Sequence, residues 1–372
     1  MVRKKIGGKD KMERNWKKWT GRLALLGAVL FLAGGALLLA ARRISGFSDW
    51  YSAHVYQALV ASVGRIFGLF PFSAVEMFLY LSVILAVFWA VRHWRRPFFV
   101  IASVFCYCGA LLFLYAANCG INYYRKPFST YLGLETGKAG RDDLYDLCAW
   151  LTDQVNEASK TRGETYEETV EKRGAVTMEA LSETYPALSG FYPQPKPVAV
   201  SWILSVQQCS GIYSPFTIEA NYNQDMTSYN IPHTICHELS HLRGFMREDE
   251  ANFIGYLACL NSPFSDYNYS GYLCGWIYAG NALAKEDYEA YVSLYGRLEP
   301  EVRADLAENS AFWAKYEGKV AEAADKVNNT YLKANGQPEG TKTYGRAVDL
   351  MLADFLENRK DSSCNRDMKM VK

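Results

Sequence analysis

Histidine and net charge are both scarce in this sequence. Only five of the 372 residues are histidine, and 40 basic residues nearly balance 39 acidic ones. A net charge of +1 gives no sign of the basic surface that nucleic-acid-binding proteins use, so we expect no nucleic acid as a partner. None of the nine cysteines forms a C-x-x-C pair, which excludes the usual zinc-finger spacing.

Apolar residues, by contrast, are abundant and concentrated near the N-terminus. They make up 50% of the chain, and three long apolar runs cover residues 23–41, 72–91 and 98–117. Each run is about 20 residues long, which is enough for a helix to cross a bilayer. No clear small-residue cleavage site follows the first run, so we interpret it as a retained anchor rather than a signal peptide. We therefore predict a membrane domain of residues 23–117 with three transmembrane helices.

The orientation of this domain follows from the basic residues beside the runs. The N-terminal tail, residues 1–22, is rich in lysine and arginine, and the short loop between the second and third runs is basic too. Such loops stay on the cytoplasmic side of a membrane. Arg42 and Arg43 oppose this orientation but are outnumbered. We therefore expect a multi-pass protein of the cell membrane, with an extracytoplasmic domain over residues 118–360 and a polar tail over 361–372.

The predicted fold class is mainly α, with a small β component. Residues 48–70 have apolar side chains at helical spacing with Trp50 at one end, which predicts a helix lying on the membrane surface. His54 on this helix is interpreted as an interfacial side chain. Helical periodicity dominates residues 118–360, and GIYSPFTIEANYN (211–223) is the best strand candidate there.

An acidic residue stands near the start of the second apolar run. Ionisable groups in membrane spans are functional candidates by default. Glu76, however, follows Ser73 by three residues, which is the spacing of a capping box, where each side chain satisfies the backbone N–H of the other residue. We interpret Glu76 as a helix cap rather than a proton-transfer group.

The most specific pattern in the chain is HELSH, an H-E-x-x-H motif. His237 and His241 are one helical turn apart, so both imidazoles leave the same face of a helix and can reach one Zn²⁺ ion. Glu238 beside them can take a proton from a water molecule that the metal activates, and can pass it to the leaving amine. The helix is plausible because Pro232 suits a first turn and Ile235 belongs to an apolar stripe.

A zinc site of this kind needs a third protein ligand. Gly244 is expected to end the helix, and EDEANFIGYLAC then opens a second one. Glu248, seven residues after His241, is the predicted ligand, and Glu250 is the competing candidate. Asn252 shares a helix face with Glu248 and is expected to orient its carboxylate.

The residues of these two helices resemble motifs of known protein families. HELSH followed by EDEAN resembles the gluzincin-type zincin metallopeptidases, and Glu248 to Asn252 is similar to the third-ligand helix of the CAAX prenyl protease/HtpX group and of ImmA/IrrE-type peptidases. The whole layout also resembles an uncharacterised family of bacterial membrane proteins with three N-terminal spans. The resemblance implies a zincin-like, mostly helical domain with a small sheet, a zinc cofactor and hydrolysis of peptide bonds. In zincins, a substrate peptide usually pairs with an edge strand just before the active helix.

Two features depart from the family patterns. The loop between His241 and Glu248 is shorter than in most prenyl-protease relatives and closer to the metzincin spacing, but the metzincin ligand would fall at Arg247, which cannot bind metal. His233 is interpreted as structural, because a third in-line histidine would overreach the metal. Oxyanion stabilisation calls for a Tyr, His or Arg side chain, and Tyr344 and Arg346 are the candidates.

The sequence therefore predicts a membrane-anchored zinc metallopeptidase that acts on a peptide or protein substrate, with the lipid bilayer as its other partner. Two alternatives stay open: a zinc-binding membrane receptor or scaffold without activity, and a zinc hydrolase of a non-peptide amide. Retention of Glu238 favours an enzyme, because a purely structural zinc site has no need of that carboxylate.

Overall fold

The computed structural model describes residues 2–137, 139–341 and 346–370, with side chains described between residues 13 and 359. Most of these residues are helical, and the strands found among them form one small sheet. The predicted class, mainly α with N-terminal apolar helices and a small β-sheet, is confirmed.

The described elements follow this order. The N-terminal part contains α1 (Val2–Arg43), α2 (47–68), α3 (Ala74–His93) and α4 (Pro97–Asn118). Then come α5 (Phe128–Leu132), α6 (Arg141–Ser159), α7 (Val170–Thr184), β1 (Lys196–Pro197), α8 (Trp202–Ser205), β2 (Gly211–Ser214) and β3 (Glu219–Tyr222). The remaining helices are α9 (Ile231–Leu242), α10 (Glu248–Leu260), α11 (Ser265–Glu286), α12 (Tyr288–Arg297), α13 (Pro300–Ala314), α14 (Lys319–Ala334) and α15 (Ala347–Met370). Single 3₁₀ turns occupy Gly120–Tyr124, Pro186–Leu188 and Ser228–Asn230.

Among the described residues, three helices are long and apolar enough to cross a membrane: α1 from Glu13, α3 and α4. They agree with the predicted runs to within a few residues, apart from a longer first helix. Helices α1 and α4 cross closely because glycines lie at their contact. A Cβ atom on Gly109 would lie 2.9 Å from the carbonyl oxygen of Gly27, closer than such atoms approach in proteins. Small residues let membrane helices approach in this way.

The start of α3 is capped partly as predicted. Ser73 Oγ accepts a hydrogen bond from the Glu76 backbone N–H at 3.3 Å, but the reciprocal bond of a capping box is absent from the described contacts. The Glu76 carboxylate instead accepts from the backbone N–H groups of Ala199 (2.7 Å) and Val200 (2.9 Å). Glu76 therefore joins α3 to the loop before α8.

A second carboxylate completes this junction. Glu219 on β3 accepts hydrogen bonds from the backbone N–H groups of Ala74 (3.2 Å) and Val75 (2.9 Å), and it pairs with buried Lys196 at 2.5 Å. A carboxylate at a helix N-terminus satisfies free N–H groups and complements the helix dipole. The sheet is thereby bonded directly to the first turn of α3.

The helix predicted to lie on the membrane surface is α2, and it contains two π-helical turns. Its Tyr56 and Val60 side chains are fully buried against the rest of the chain, whereas Trp50 and Ile66 are exposed. His54 stacks on Trp50 and shares a hydrogen bond with its carbonyl oxygen. One face of α2 is therefore part of the domain core, and the other presents apolar side chains outward.

The predicted single strand over residues 211–223 is a hairpin, which corrects that interpretation. Strands β2 and β3 pair antiparallel around the turn 215–218, where Pro215 cannot donate a ladder hydrogen bond and Ile218 has a φ of 54°. Strand β1 pairs parallel to β3 on the other side, so the strand order is β1-β3-β2. Strand β2 therefore lies at an edge of the sheet.

Candidate metal centre

Helix α9, which carries the H-E-x-x-H motif, lies at the centre of the domain. It contacts β2 and β3 as well as α7, α10 and α11. Ile235, Leu239 and Leu242 form a fully buried stripe, so packing as well as local propensity holds the helix. The helix ends before Gly244, whose φ of 83° is the left-handed conformation that favours glycine at a helix end. The chain then turns back into α10.

This turn brings Glu248 to the two histidines. One ligand atom from each of His237, His241 and Glu248 lies within 4.8 Å of the other two, and His237 Nε2 is 3.3 Å from Glu248 Oε2. The competing candidate Glu250 is directed elsewhere: its carboxylate is buried and accepts a hydrogen bond from the Phe128 backbone N–H at 2.9 Å. The structure therefore groups Glu248, and not Glu250, with the histidines.

Hydrogen bonds set the orientation of both imidazoles. The Nδ1 atom of His237 lies 2.8 Å from Asn252 Oδ1, and that of His241 lies 2.8 Å from the Phe245 carbonyl oxygen. Both partners are oxygen acceptors, so each Nδ1 carries the proton and each Nε2 presents its lone pair. This is the usual arrangement of metal-binding histidines. Asn252, predicted to orient the carboxylate, contacts the imidazole of His237.

His237, His241 and Glu248 could together hold a metal ion and form the candidate metal-binding group. His233 does not belong to this metal-binding group. Its Nε2 lies 3.2 Å from the Asn252 carbonyl oxygen and its ring is buried against Tyr278. Burial lowers the pKa of His233 to about 3, so the ring stays neutral and donates its N–H to that carbonyl. The side chain holds α9 against α10, in line with a structural role.

Glu238 lies beside His237, His241 and Glu248, and one of its carboxylate oxygens is available as a hydrogen-bond acceptor. Its Oε1 is 3.9 Å from His237 Nε2, and its buried Oε2 has no hydrogen-bond partner among the described residues. Burial raises the pKa of Glu238 to about 8, and the charge of Glu248 adds to this effect. A buried acceptor of this kind is costly unless a further donor occupies the site. The residues therefore fit a metal ion together with a water molecule.

Gly211 of the edge strand makes room for this carboxylate. A Cβ atom at position 211 would lie 2.5 Å from Glu238 Oε1, so only glycine allows β2 to run this close. Sequence reasoning did not single out Gly211, although a glycine inside a strand often indicates close approach by another group. The edge strand and the carboxylate thus line the same space.

The pKa values of the two histidines depend on burial and on the neighbouring carboxylates. Burial opposes the charged form of His237, but its contact with Glu248 and the charge of Glu238 together raise its pKa. Burial lowers the pKa of His241 to about 4. Without metal, Glu238 and Glu248 therefore favour a proton on His237 Nε2, the atom that would otherwise present its lone pair. A divalent cation would replace that proton, which is how metal binding is linked to pH.

Comparison with known proteins gives a family. Residues 51–352 match the family described as "Protein of unknown function (DUF3810)". The chain belongs to this family. No curated protein and no solved structure matches it. The matched region of this DUF3810 member contains α3, α4 and every residue of the metal-binding group.

The metal-binding group of this DUF3810 chain opens into a cavity of about 1570 Å³. Beyond α9 and α10, its walls include the end of α4, the edge strand and the helices α11, α13 and α14. Wall residues include Cys119, Ile212, Trp313, Val320 and Val327. Val320 and Val327 on α14 are exposed apolar side chains, so this wall offers apolar surface to a bound molecule.

The cavity contains several tyrosine hydroxyls, and most donate to fixed acceptors. Four such bonds link Tyr115 to Asn335, Tyr123 to Tyr331, Tyr213 to Asn118 and Tyr278 to Asn252. Tyr331 accepts from Tyr123 at 3.1 Å, while its other neighbours are the Cys119 thiol at 3.5 Å and the Tyr115 side chain, to which its hydroxyl also donates. Among the described residues, its proton has no carbonyl, carboxylate or amide acceptor. Sequence reasoning missed Tyr331, because nothing local distinguishes one of 26 tyrosines.

Of the two residues predicted to stabilise an oxyanion, Arg346 is not brought to His237, His241 and Glu248. Arg346 is half-exposed, lies 3.9 Å from Asp249 and 3.6 Å from Glu339, and is not among the residues lining the cavity. Tyr344 lies outside the residues that the structure describes. Among the described residues, Arg346 therefore forms ion pairs at the surface.

Proposed function

We propose that this DUF3810 protein is a membrane-anchored, zinc-dependent metallopeptidase. The observation that carries the proposal is the position of Glu238, a buried carboxylate with an unused oxygen, beside His237, His241 and Glu248. Two imidazoles and one carboxylate are the protein ligands of many hydrolytic zinc sites, which keep a fourth position open. A purely structural site would not need a second acid that is not a ligand.

Each residue then has a defined task. Zinc supplies Lewis-acid activation of water and of the substrate carbonyl when it is bound. Glu238 takes the proton from the attacking water and returns it to the leaving amine. Asn252 and the Phe245 carbonyl keep the imidazoles in the tautomer that leaves Nε2 free. Strand β2 offers its open edge to an extended peptide.

The basic residues of the tail and of the loop between α3 and α4 favour a cytoplasmic position for that end of the helices. The metal-binding group is on the domain at their opposite ends, so we propose that it lies outside the cytoplasm. Arg42, which opposed this orientation in the sequence, donates hydrogen bonds to Tyr124 (2.7 Å) and to the Ala334 carbonyl (2.8 Å). Its charge therefore has a structural reason to be at this end of α1.

Metal removal tests the proposal directly. The purified full chain in vesicles, incubated with a degenerate peptide library, is expected to produce new peptide termini when loaded with zinc. A chelator should abolish them and added zinc should restore them, because the attacking water depends on the ion. Mass spectrometry of the library provides the measurement. Persistent cleavage after chelation, or none with zinc bound, would contradict a zinc peptidase.

Tyr331 is our candidate for stabilising the charge that develops on the substrate carbonyl oxygen. Tyr331→Phe is expected to lower kcat by about 10²–10³ with little change in KM, because such a donor acts in the transition state. Tyr115→Phe is the matched control, since that cavity hydroxyl already donates to Asn335. Steady-state kinetics on a library-derived substrate measure both. Equal effects of the two substitutions would exclude this role for Tyr331.

A further inference from the structure

Hydrogen bonds hold one end of each of the three apolar helices directly against the domain. Helix α1 is held through Arg42, and α3 is held through Glu219 and Glu76. At the end of α4, Asn118 Nδ2 donates to the Pro215 carbonyl oxygen at 2.7 Å. Three separate attachments of this kind fix the height and tilt of the domain relative to the membrane.

The metal-binding group is close to the end of α4. Tyr213 donates to the Asn118 carbonyl oxygen at 2.9 Å, and Tyr56 contacts both Tyr213 (2.8 Å) and the His241 carbonyl oxygen (3.2 Å). Two tyrosine hydroxyls therefore link the last residue of α4 to the backbone of the second histidine, with the single Tyr56 proton shared between Tyr213 and the His241 carbonyl oxygen. Cys119, the next residue after α4, itself lines the cavity.

An exposed apolar patch lies between the start of α3, where this helix meets the domain, and the edge strand β2. Val200, Trp202 and Ile203 are exposed, and the Val200 backbone is bonded to Glu76 in the first turn of α3. Leu69 and Phe70, on the chain between α2 and α3, are exposed apolar side chains as well. A patch of this kind at the end of a membrane span is suited to the lipid interface.

The chain continues directly from this patch into the site. Residues 206–210 line the cavity, and β2 follows with Gly211 against Glu238. A peptide that leaves the bilayer beside the patch would therefore meet the open edge of β2 without crossing the domain. An extended chain covers about 3.3–3.6 Å per residue, so about ten residues reach roughly 35 Å beyond the bilayer.

We infer that the substrates are polypeptides anchored in the same membrane, cut within about ten residues of the point where they leave the bilayer, a reach set by the length of an extended chain. This inference depends on the proposed peptidase function and adds the class of substrate. Anchoring raises the effective concentration of the cleavable segment at the edge strand. The fixed height of the site then selects which peptide bond is cut.

A tethered probe tests the inference. The probe is a single transmembrane helix followed by a degenerate segment of 40 residues, reconstituted with the zinc-loaded full chain so that both face the outside of the vesicles. We expect cleavage to cluster within about ten residues of the bilayer, and at least about tenfold faster than cleavage of the same segment without its helix. Mass spectrometry of the products locates the cuts.

Trp202→Ser should lower cleavage of the tethered probe only, because the patch acts at the lipid interface. Val292→Ser removes an exposed apolar side chain on α12 and serves as the matched control. Cuts spread evenly along the tethered segment, or equal rates with and without the helix, would overturn the inference and leave the peptidase standing. Failure to cleave either probe would overturn the peptidase itself.

Discussion

Replacing Glu238 with Gln is expected to abolish hydrolysis while the bound metal stays in place. The amide keeps the size of the side chain beside Gly211 but cannot accept a proton from water. Loss of a general base costs about 10²–10⁴-fold in rate, so kcat should fall by at least that amount. Product formation from the peptide library and the zinc content of the same sample provide the two measurements.

Glu250→Gln is the control for this experiment. Glu250 is equally a buried carboxylate on the same two-helix unit, but its oxygen accepts from the Phe128 backbone N–H instead of facing the cavity. An amide oxygen can still accept that bond, so the control is expected to retain activity. Should the Glu238→Gln protein keep its rate, or lose its metal, Glu238 would not be the proton acceptor.

His241→Ala is expected to remove the metal altogether. The substitution deletes one of two nitrogen ligands, and even changes to residues that merely orient a ligand cost about 10–100-fold in metal affinity. We therefore expect a loss of more than about 100-fold, with no hydrolysis. Zinc content by mass spectrometry measures the first effect, and thermal unfolding reports whether the buried site still folds.

Glu248→Gln and Glu250→Gln extend this test to the third ligand. Glu248 lies within reach of both histidine nitrogens, whereas Glu250 caps α5, so only the first substitution should weaken zinc binding. The two variants make the same chemical change two residues apart on one helix. Equal zinc content in both proteins would contradict the assignment of Glu248.

Local spacing explains why parts of the molecule could be predicted from the sequence. The period of the α-helix places His237 and His241 on one face wherever the helix packs. The three apolar helices follow from length and composition alone, because a bilayer sets the number of residues needed. Gly244 ends α9 through its own backbone conformation.

Other features depended on contacts between distant parts of the chain. The rotation of α10 against α9 decides that Glu248, and not Glu250, meets the histidines. The hairpin over β2 and β3 looked like one strand, because four-residue strands leave little periodicity to read. Glu219 is bonded to the start of α3, 144 and 145 residues away, which no local pattern indicates.

By itself, the sequence determined the apolar spans and the pair of imidazoles with an adjacent acid, because each depends on a repeat within one helix. Only the tertiary structure decided the third ligand, the approach of Gly211 to Glu238 and the position of the site beside the end of α4. These depend on which faces of separate elements pack together. Burial over the whole chain determines which faces pack together, and the residues adjacent in the sequence contain little information about this packing.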